Sequence, residues 1–465
     1  MITLNEEANG YCRIWYSNQP LDSPYVYKYS GGLGTYCAKH SSFAVYSPEE
    51  HKTFFCFGGA SHEFHKRDIP ADNETMPDGL LHMVGCYDHN LGLVSRPTVL
   101  LGKQTPDAHD NPVISLDGDG YIWIFSTAHG TLRPSFIHRS VKPYHTDQFE
   151  MIDATRKSDT STVPFDNFSY FQVRHVAHRG FSAFLTRYGE PVTRTAGYMT
   201  SPDGQQWSEW QPIAAIDEGH YQVGEITPNC SGTAFNYHPD EKGLNYRTNL
   251  YYLQTTNNGE SWQNVRGNAL DVPLTNSQNP ALVHDYQSEG LLVYMKDIQF
   301  DDAGHPVILY VTSRGFESGP DNGPRTWHTA RWTKSEWDIR SVTTSDSNYD
   351  TGSLYLHEDG SWTIIAPTEP GPQPYNPGGE MVMWESDDLG TTWSKIKTLT
   401  DNSTRNHNYA RRPINHHSDF YASWADGHTR KPSESRLYFC NDAGDVVMLP
   451  PEMSTDWERP LRVKP

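Results

Sequence analysis

Two histidines, His109 and His129, lie equally far from Asp119, inside the run Asp117-Gly118-Asp119-Gly120 that marks a tight turn. Tyr170 and Arg187 flank His178-Arg179-Gly180 in nearly the same way. Residues equidistant from a hairpin turn meet at its open end. Two adjacent hairpins are therefore expected to bring two imidazoles, a phenol and a guanidinium to one rim. An imidazole moves protons near neutral pH. A guanidinium clamps a carboxylate through two parallel hydrogen bonds. A lone histidine or tyrosine on a strand is usually structural, so the pairing carries the inference. Together the four can neutralise a carboxylate and move a proton beside it.

Other residues carry weaker signals. Arg194 and Arg174 are the other arginines close to the second hairpin. Arg194, Tyr188, His238 and Arg314 are candidate substrate contacts, and Tyr237 and Arg325 also fall near expected loops. The glycines of Tyr29-Ser30-Gly31-Gly32-Leu33-Gly34 lack the spacing of a phosphate-binding loop, and no helical pattern follows them. His416, His417 and His428 lie near Asp419 and Asp426 but match no common metal-ligand spacing. No metal or organic cofactor is expected. Cys12, Cys37, Cys56, Cys86, Cys230 and Cys440 show no C-x-x-C pair and are expected as buried free thiols.

The elements that must position these groups are short strands. The 465 residues include 27 Tyr, 18 Phe and 13 Trp, with 36 Gly and 32 Pro, which favours strands joined by tight turns. Apolar runs such as Phe43-Ala44-Val45-Tyr46, Tyr121-Ile122-Trp123-Ile124-Phe125 and Val307-Ile308-Leu309-Tyr310 recur between Gly, Pro, Asp and Asn clusters. No low-complexity linker divides the chain, so one domain is expected over 1–465, with a lead segment over about 1–25. A formal charge of −20 argues against nucleic acid and against an anionic membrane surface as partners. It also means that a site for an acidic substrate must be a local basic island. No apolar run is long enough to form a transmembrane helix. The start, Met1-Ile2-Thr3-Leu4-Asn5-Glu6-Glu7, lacks the regions of a secretory signal, so either a cytoplasmic location or a missing export signal is expected.

A repeat is superimposed on the strands. Ser386-Asp387-Asp388-Leu389-Gly390-Thr391-Thr392-Trp393 fits S-x-D-x-G-x-T-W. Thr255 to Trp262 is a near variant, and Ser201 to Trp207 is one residue shorter. These runs resemble the Asp-box, or BNR repeat, of β-propellers, in which the acidic residue and Gly make a turn and the Trp packs between sheets. Such boxes are structural. At about 60–65 residues per blade the chain is expected to be all-β, a seven-bladed β-propeller of four-stranded antiparallel blades.

His109, His129, Tyr170 and Arg187, in that order, resemble the site of the propeller polysaccharide lyases, the ulvan lyases and the related rhamnose–glucuronate lyases. His109-Asp110-Asn111-Pro112, Ala128-His129-Gly130 and Ser169-Tyr170 carry the match. The resemblance implies a uronic-acid-containing oligo- or polysaccharide as substrate and β-elimination without a cofactor. Arg187, helped by His129, would neutralise the uronate carboxylate; His109 or Tyr170 would take the C5 proton; and Tyr170 would protonate the departing oxygen. The segment ending Cys37-Ala38-Lys39-His40 instead resembles propeller rhamnosyl-glucuronate hydrolases, in which one histidine on the opposite face releases terminal rhamnose. That implies His40 as the alternative catalytic residue of an α-L-rhamnosidase. A non-catalytic glycan-binding propeller is the third possibility. A sialidase is disfavoured, because no three clustered arginines accompany a Tyr-Glu pair.

Overall fold

Alternating apolar residues and tight turns produce an all-β chain of antiparallel sheets in the computed structural model, which describes residues 2–11, 14–61, 79–189 and 192–463. The first main sheet runs Ala44–Ser47, Lys52–Ala60, Leu80–Asp88, Thr98–Gly102. The next runs Pro112–Leu116, Ile122–Ser126, Phe136–Ser140, Phe149–Met151, and the one after it Ser169–Val176, Gly180–Tyr188, Arg194–Ser201, Gln211–Ala214. Sheets beginning at Gln222–Ile226 and Leu292–Phe300 repeat the pattern. A nine-stranded sheet follows, in which the group from Ser353–Leu356 to Gly379–Ser386 meets the group from Asn406–Arg411 to Val446–Met448 through the single pair Gly379 and His407. The expected lead segment contains structure of its own: Thr3–Glu7 adds to the edge strand Thr98–Gly102, and Trp15–Pro20 pairs with Tyr27–Gly32.

The leading strands of the sheets lie side by side and are tied through the backbone. Tyr46 N donates to Ile414 O and Ile414 N to Ala44 O, each at 2.9 Å. Ile114 N donates to Ser42 O at 2.9 Å and Val173 N to Ser41 O at 3.0 Å. The bridges between Val45 and Ile414 and between Ser41 and Gln172 are parallel, so these strands start at a common end of the molecule.

Aromatic side chains fill the space between sheets. Trp123, Phe125, Phe171, Phe181 and Trp207 are all buried together, with Phe125 and Phe171 centroids 5.0 Å apart. Burying each such ring contributes about 1.5–3 kcal/mol, and the shared ring layer fixes the second sheet against the third. The Asp-box runs sit in turns as expected. Gly390 N donates to Ser386 Oγ at 2.9 Å, Thr392 N to Asp388 Oδ1 at 2.8 Å, and Trp393 Nε1 to Gly390 O at 3.1 Å. Gly390 has φ +82°, and a Cβ there would stand 2.3 Å from Trp362, so no other residue fits. Cys37, Cys56, Cys86, Cys230 and Cys440 are free thiols, whereas Cys12 lies outside the described residues.

Several histidines are structural and held neutral. His82 is enclosed, bonding Ser126 Oγ at 2.9 Å, and burial keeps its imidazole well below the ordinary value. Burial likewise lowers His138, His220 and His328 to about 4. In the unfolded chain these rings take up protons near pH 6.5. Their contribution to stability is therefore complete above that pH and is lost as pH falls toward 4. The urea midpoint should fall steadily between pH 7 and pH 5 with m unchanged; a flat midpoint over that interval would show these rings to be solvated.

Candidate active site

The turn at Asp117 sets the first half of the site. Asp117 Oδ1 accepts from the amides of Asp119 and Tyr121, at 3.0 and 2.9 Å, and Oδ2 accepts from Trp123 Nε1 at 2.8 Å. The register that follows pairs Leu116 with Ile122 and Pro112 with Ser126. Extending it brings His109 and His129 together at the open end, their rings stacked at 4.4 Å and 19°.

What holds them there is Asp107. Its Oδ1 bonds His109 Nδ1 at 2.5 Å and its Oδ2 bonds His129 Nδ1 at 2.6 Å. Burial raises the Asp107 carboxyl, but the two imidazoles and their hydrogen bonds outweigh it and hold the group well below the usual carboxylate range. An ionised carboxylate only accepts, so both Nδ1 atoms carry protons, and the neutral His109 ring presents a lone pair at Nε2. His109 Nε2 accepts from the Tyr36 hydroxyl at 2.8 Å, while His129 Nε2 is buried without a hydrogen-bond partner. Burial lowers His109 to about 4, with Asp107 opposing, so the ring is neutral near pH 7. Asp107 lies two residues before His109; this Asp-x-His spacing was the available signal for a residue absent from the expected set.

The second hairpin supplies the phenols. Its ladder slips between Ser169–Thr186 and Gln172–Phe184, and Tyr170 within that irregularity adopts φ +50°. Such a bulge turns a side chain out of the regular alternation. The Tyr170 ring sits 5.9 Å from His109 and 5.7 Å from His129. Burial, reinforced by Tyr188 and Tyr221, raises its hydroxyl well above the ordinary value, so it is a proton donor at neutral pH. Neither the Tyr170 nor the Tyr188 hydroxyl has a hydrogen-bond partner of ordinary geometry among the described residues.

Arg187 needs correcting. Neighbours on a strand face opposite ways, and Tyr188 faces His129 with ring centroids 5.3 Å apart. Arg187 therefore points to the other side, over the Trp210 ring at 5.2 Å. Arg194 pairs directly with Tyr188 across the ladder and shares its face, with its guanidinium 5.4 Å from the Tyr188 ring and 5.7 Å from the Tyr221 ring. Arg174 is taken by Glu225 at 2.5 Å. His238 reaches the same corner, 5.0 Å from Tyr221, but Arg314 is exposed on a loop and does not reach it.

His40 is fully enclosed rather than set on an opposite face. Its ring stacks 5.5 Å from that of Tyr170, Nδ1 lies 3.3 Å from Tyr36 O, and burial holds it well below its ordinary value. It supports Tyr170 from behind.

The remaining wall was not legible from pairs of residues. Tyr29, Tyr36, Tyr221, Tyr349 and Tyr409 line the cleft with Arg247 and Lys39. Arg247 lies 4.5 Å over Tyr221, and Lys28 lies 5.1 Å over Tyr29. Burial lowers Lys28 and Lys39 to about 7. None of Arg194, Arg247, Lys28 and Lys39 forms an ion pair with a carboxylate among the described residues. These four groups form a local cluster of basic side chains in a chain of charge −20. Asp107, His109 and His129 are also close enough to share a cation, and both Nδ1 atoms already hydrogen-bond to the Asp107 carboxylate.

A family profile described as "BNR repeat-containing family member" matches residues 77–345, more than half of the chain. The chain belongs to this BNR repeat-containing family. All of Asp107, His109, His129, Tyr170 and Arg194 fall inside the matched family segment. An ulvan lyase of Nonlabens ulvanivorans is 24% identical over 333 residues, covering 64% of this chain and 66% of that protein. An ulvan lyase of Alteromonas sp. (strain LOR) is 23% identical over 354 residues, covering 68% and 70%. The chain thus matches about two thirds of the length of these relatives. A solved PL25 ulvan lyase superimposes with TM-score 0.67 at 17% identity, over 94% of this chain and 96% of that one, which establishes a shared fold.

The bifurcated carboxylate generates a direct prediction. Nitrogen-15 spectra of the imidazoles near pH 7 should show His109 and His129 as Nδ1–H tautomers. Asp107→Asn should mix or invert both; unchanged tautomers in that variant would remove Asp107 from its assigned role.

Proposed function

We propose that this chain is a polysaccharide lyase that cleaves rhamnose–glucuronate linkages by β-elimination, on ulvan-type or arabinogalactan-derived glycans. The observation that carries this is a cleft in which unpaired cations face a neutral imidazole and a protonated phenol. The likeness to ulvan lyases supports it, including a PL25 structure bound to -[GlcA(1-4)Rha3S]- with TM-score 0.66. We also read the architecture as a single seven-bladed propeller, dividing the nine-stranded sheet at Gly379 and His407 into two blades.

The chemistry follows from the charge states. Removing the C5 proton of a glucuronate builds negative charge next to a carboxylate, so the carboxylate must first be neutralised. Arg194 is placed to do this, with Arg247 and Lys39 adding field from the cleft wall. An arriving carboxylate would stabilise the protonated forms of Lys28 and Lys39 and so gain affinity. His109, neutral and oriented by Asp107, accepts the C5 proton at Nε2 once the Tyr36 hydroxyl yields. Tyr170 donates its proton to the departing glycosidic oxygen. Electrons from the C5–H bond form the C4–C5 double bond as the C4–O bond breaks, leaving a 4,5-unsaturated uronate. Groups whose environments push their pKa values apart divide the acid and base roles in this way. Deep burial of His40 beneath Tyr170 weighs against the rhamnosidase alternative.

Digestion of rhamnose–glucuronate oligosaccharides should produce the ultraviolet absorbance of a conjugated unsaturated uronate. Release of free rhamnose without that absorbance would sink the elimination. Tyr170→Phe should lower kcat by about 10²–10⁴-fold. Arg194→Ala should cost about 10²–10³-fold in kcat/KM, with Arg187→Ala nearly silent. The opposite order would return the carboxylate clamp to Arg187.

A further inference from the structure

At the opposite end of the leading strand from the cleft, three imidazoles and a carboxylate converge. His51 sits in the turn between Ala44–Ser47 and Lys52–Ala60, and His89 follows Leu80–Asp88. His417 and Asp419 belong to the turn between Asn406–Arg411 and Ala422–Gly427. The rings of His89 and His417 are 4.1 Å apart, and His51 lies 5.2 Å from His89 and 5.0 Å from His417. His416 and His428, which the sequence groups with His417, go elsewhere: His416 packs on Tyr355 and Tyr421, and His428 N bonds Ser433 Oγ.

The hydrogen bonds decide which atoms face one another. His89 Nε2 is bonded to Thr53 Oγ1 at 2.8 Å, and with that nitrogen donating, Nδ1 presents a lone pair. That Nδ1 is buried with no hydrogen-bond partner, although the side chain is 0% exposed, and it stands 3.8 Å from Asp419 Oδ2. His417 Nδ1 accepts the Asp419 amide at 3.1 Å, so it carries no proton, and it stands 3.7 Å from the same Oδ2; an ion would take over the lone pair that the amide now engages. An unpartnered buried ring nitrogen of His89, the unprotonated Nδ1 of His417 and a carboxylate oxygen thus converge. Adjacent ligand atoms on a tetrahedral zinc are about 3.3 Å apart, from bond lengths near 2.0–2.1 Å. The two nitrogen–oxygen edges, 3.8 and 3.7 Å, need to contract by only about half an ångström to reach that spacing. Thr53 orients His89 through the ring nitrogen that a metal would leave free, as outer partners of ligand histidines commonly do. His51 Nδ1 is also buried and unbonded, and its ring packs beside those of His89 and His417.

We propose that His89, His417 and Asp419 form a binding site for a zinc-like divalent transition metal, with His51 packed beside it. The ion joins the sheet built from the first strands to the sheet built from the last, beside the backbone bridge between Tyr46 and Ile414. Its role is to hold that seam closed, away from the cleft.

The full chain, dialysed free of metal, is titrated with Zn²⁺ by calorimetry and melted with and without the ion. One equivalent should bind with micromolar or tighter affinity and raise Tm by a few degrees. Asp419→Asn, at a largely exposed position, should keep the fold and weaken zinc by about tenfold or more, as should His417→Ala. His129→Ala should leave zinc binding unchanged, which separates this cluster from the Asp107 group. Absence of binding by the folded wild-type chain would overturn the site and reduce the cluster to aromatic packing against Tyr46. Loss of zinc in His129→Ala with retention in Asp419→Asn would overturn it as well.

Discussion

One carboxylate shared between two imidazoles organises the cleft end of this protein. Asp107 accepts from Nδ1 of both His109 and His129 at 2.5 and 2.6 Å, which fixes ring orientation and proton position together. Without a strong acceptor, stacked imidazoles 4.4 Å apart would repel on protonation and rotate freely when neutral. With it, the pair is a rigid plate against which Tyr36, Tyr170 and Tyr188 pack edge-on. Desolvation is what makes this arrangement useful. It keeps the His109 ring neutral and the Tyr170 hydroxyl protonated at the same pH, so an acceptor and a donor coexist within one cleft.

The plate depends on sheet register. The Asp117 side chain ties the turn, the ladder runs without a slip to Pro112 and Ser126, and both histidines emerge at its mouth. That regularity is why symmetry about Asp119 located His109 and His129 from sequence alone. The same counting failed at the second hairpin. A bulge around Tyr170 changes the offset between strands, and nothing in Ser169-Tyr170-Phe171 announces it. The result is that Arg187, chosen by equal distance from the turn, falls on the wrong face, whereas Arg194 is set opposite Tyr188 by a strand not included in the count.

The all-β class and the turn boxes were legible because they rest on local chemistry: Asp, Gly and Trp at fixed offsets make the same hydrogen bonds at Ser201–Trp207 and Ser386–Trp393. Asp107 was within reach as the neighbour of His109. The tyrosine wall and Arg247 were not, since they come from strands hundreds of residues apart, and their types alone suggest packing. A net charge of −20 pointed to a compact basic site without saying where it would be. Only the packing of Arg194, Arg247, Lys28 and Lys39 around shared tyrosine faces locates it.

Those cations also explain why aromatic residues dominate the cleft. A carboxylate placed beside each arginine would satisfy it and abolish the affinity for an anionic ligand. A tyrosine face attracts the guanidinium through its π electrons at about 0.5–2 kcal/mol, enough to hold it in place but too little to replace a true counter-ion. Arg247 rests on Tyr221, Tyr294 and Tyr349, and Arg194 on Tyr188 and Tyr221. Each is positioned yet electrostatically unsatisfied. An anionic group entering the cleft would meet cations whose charge the folded chain leaves without a carboxylate partner.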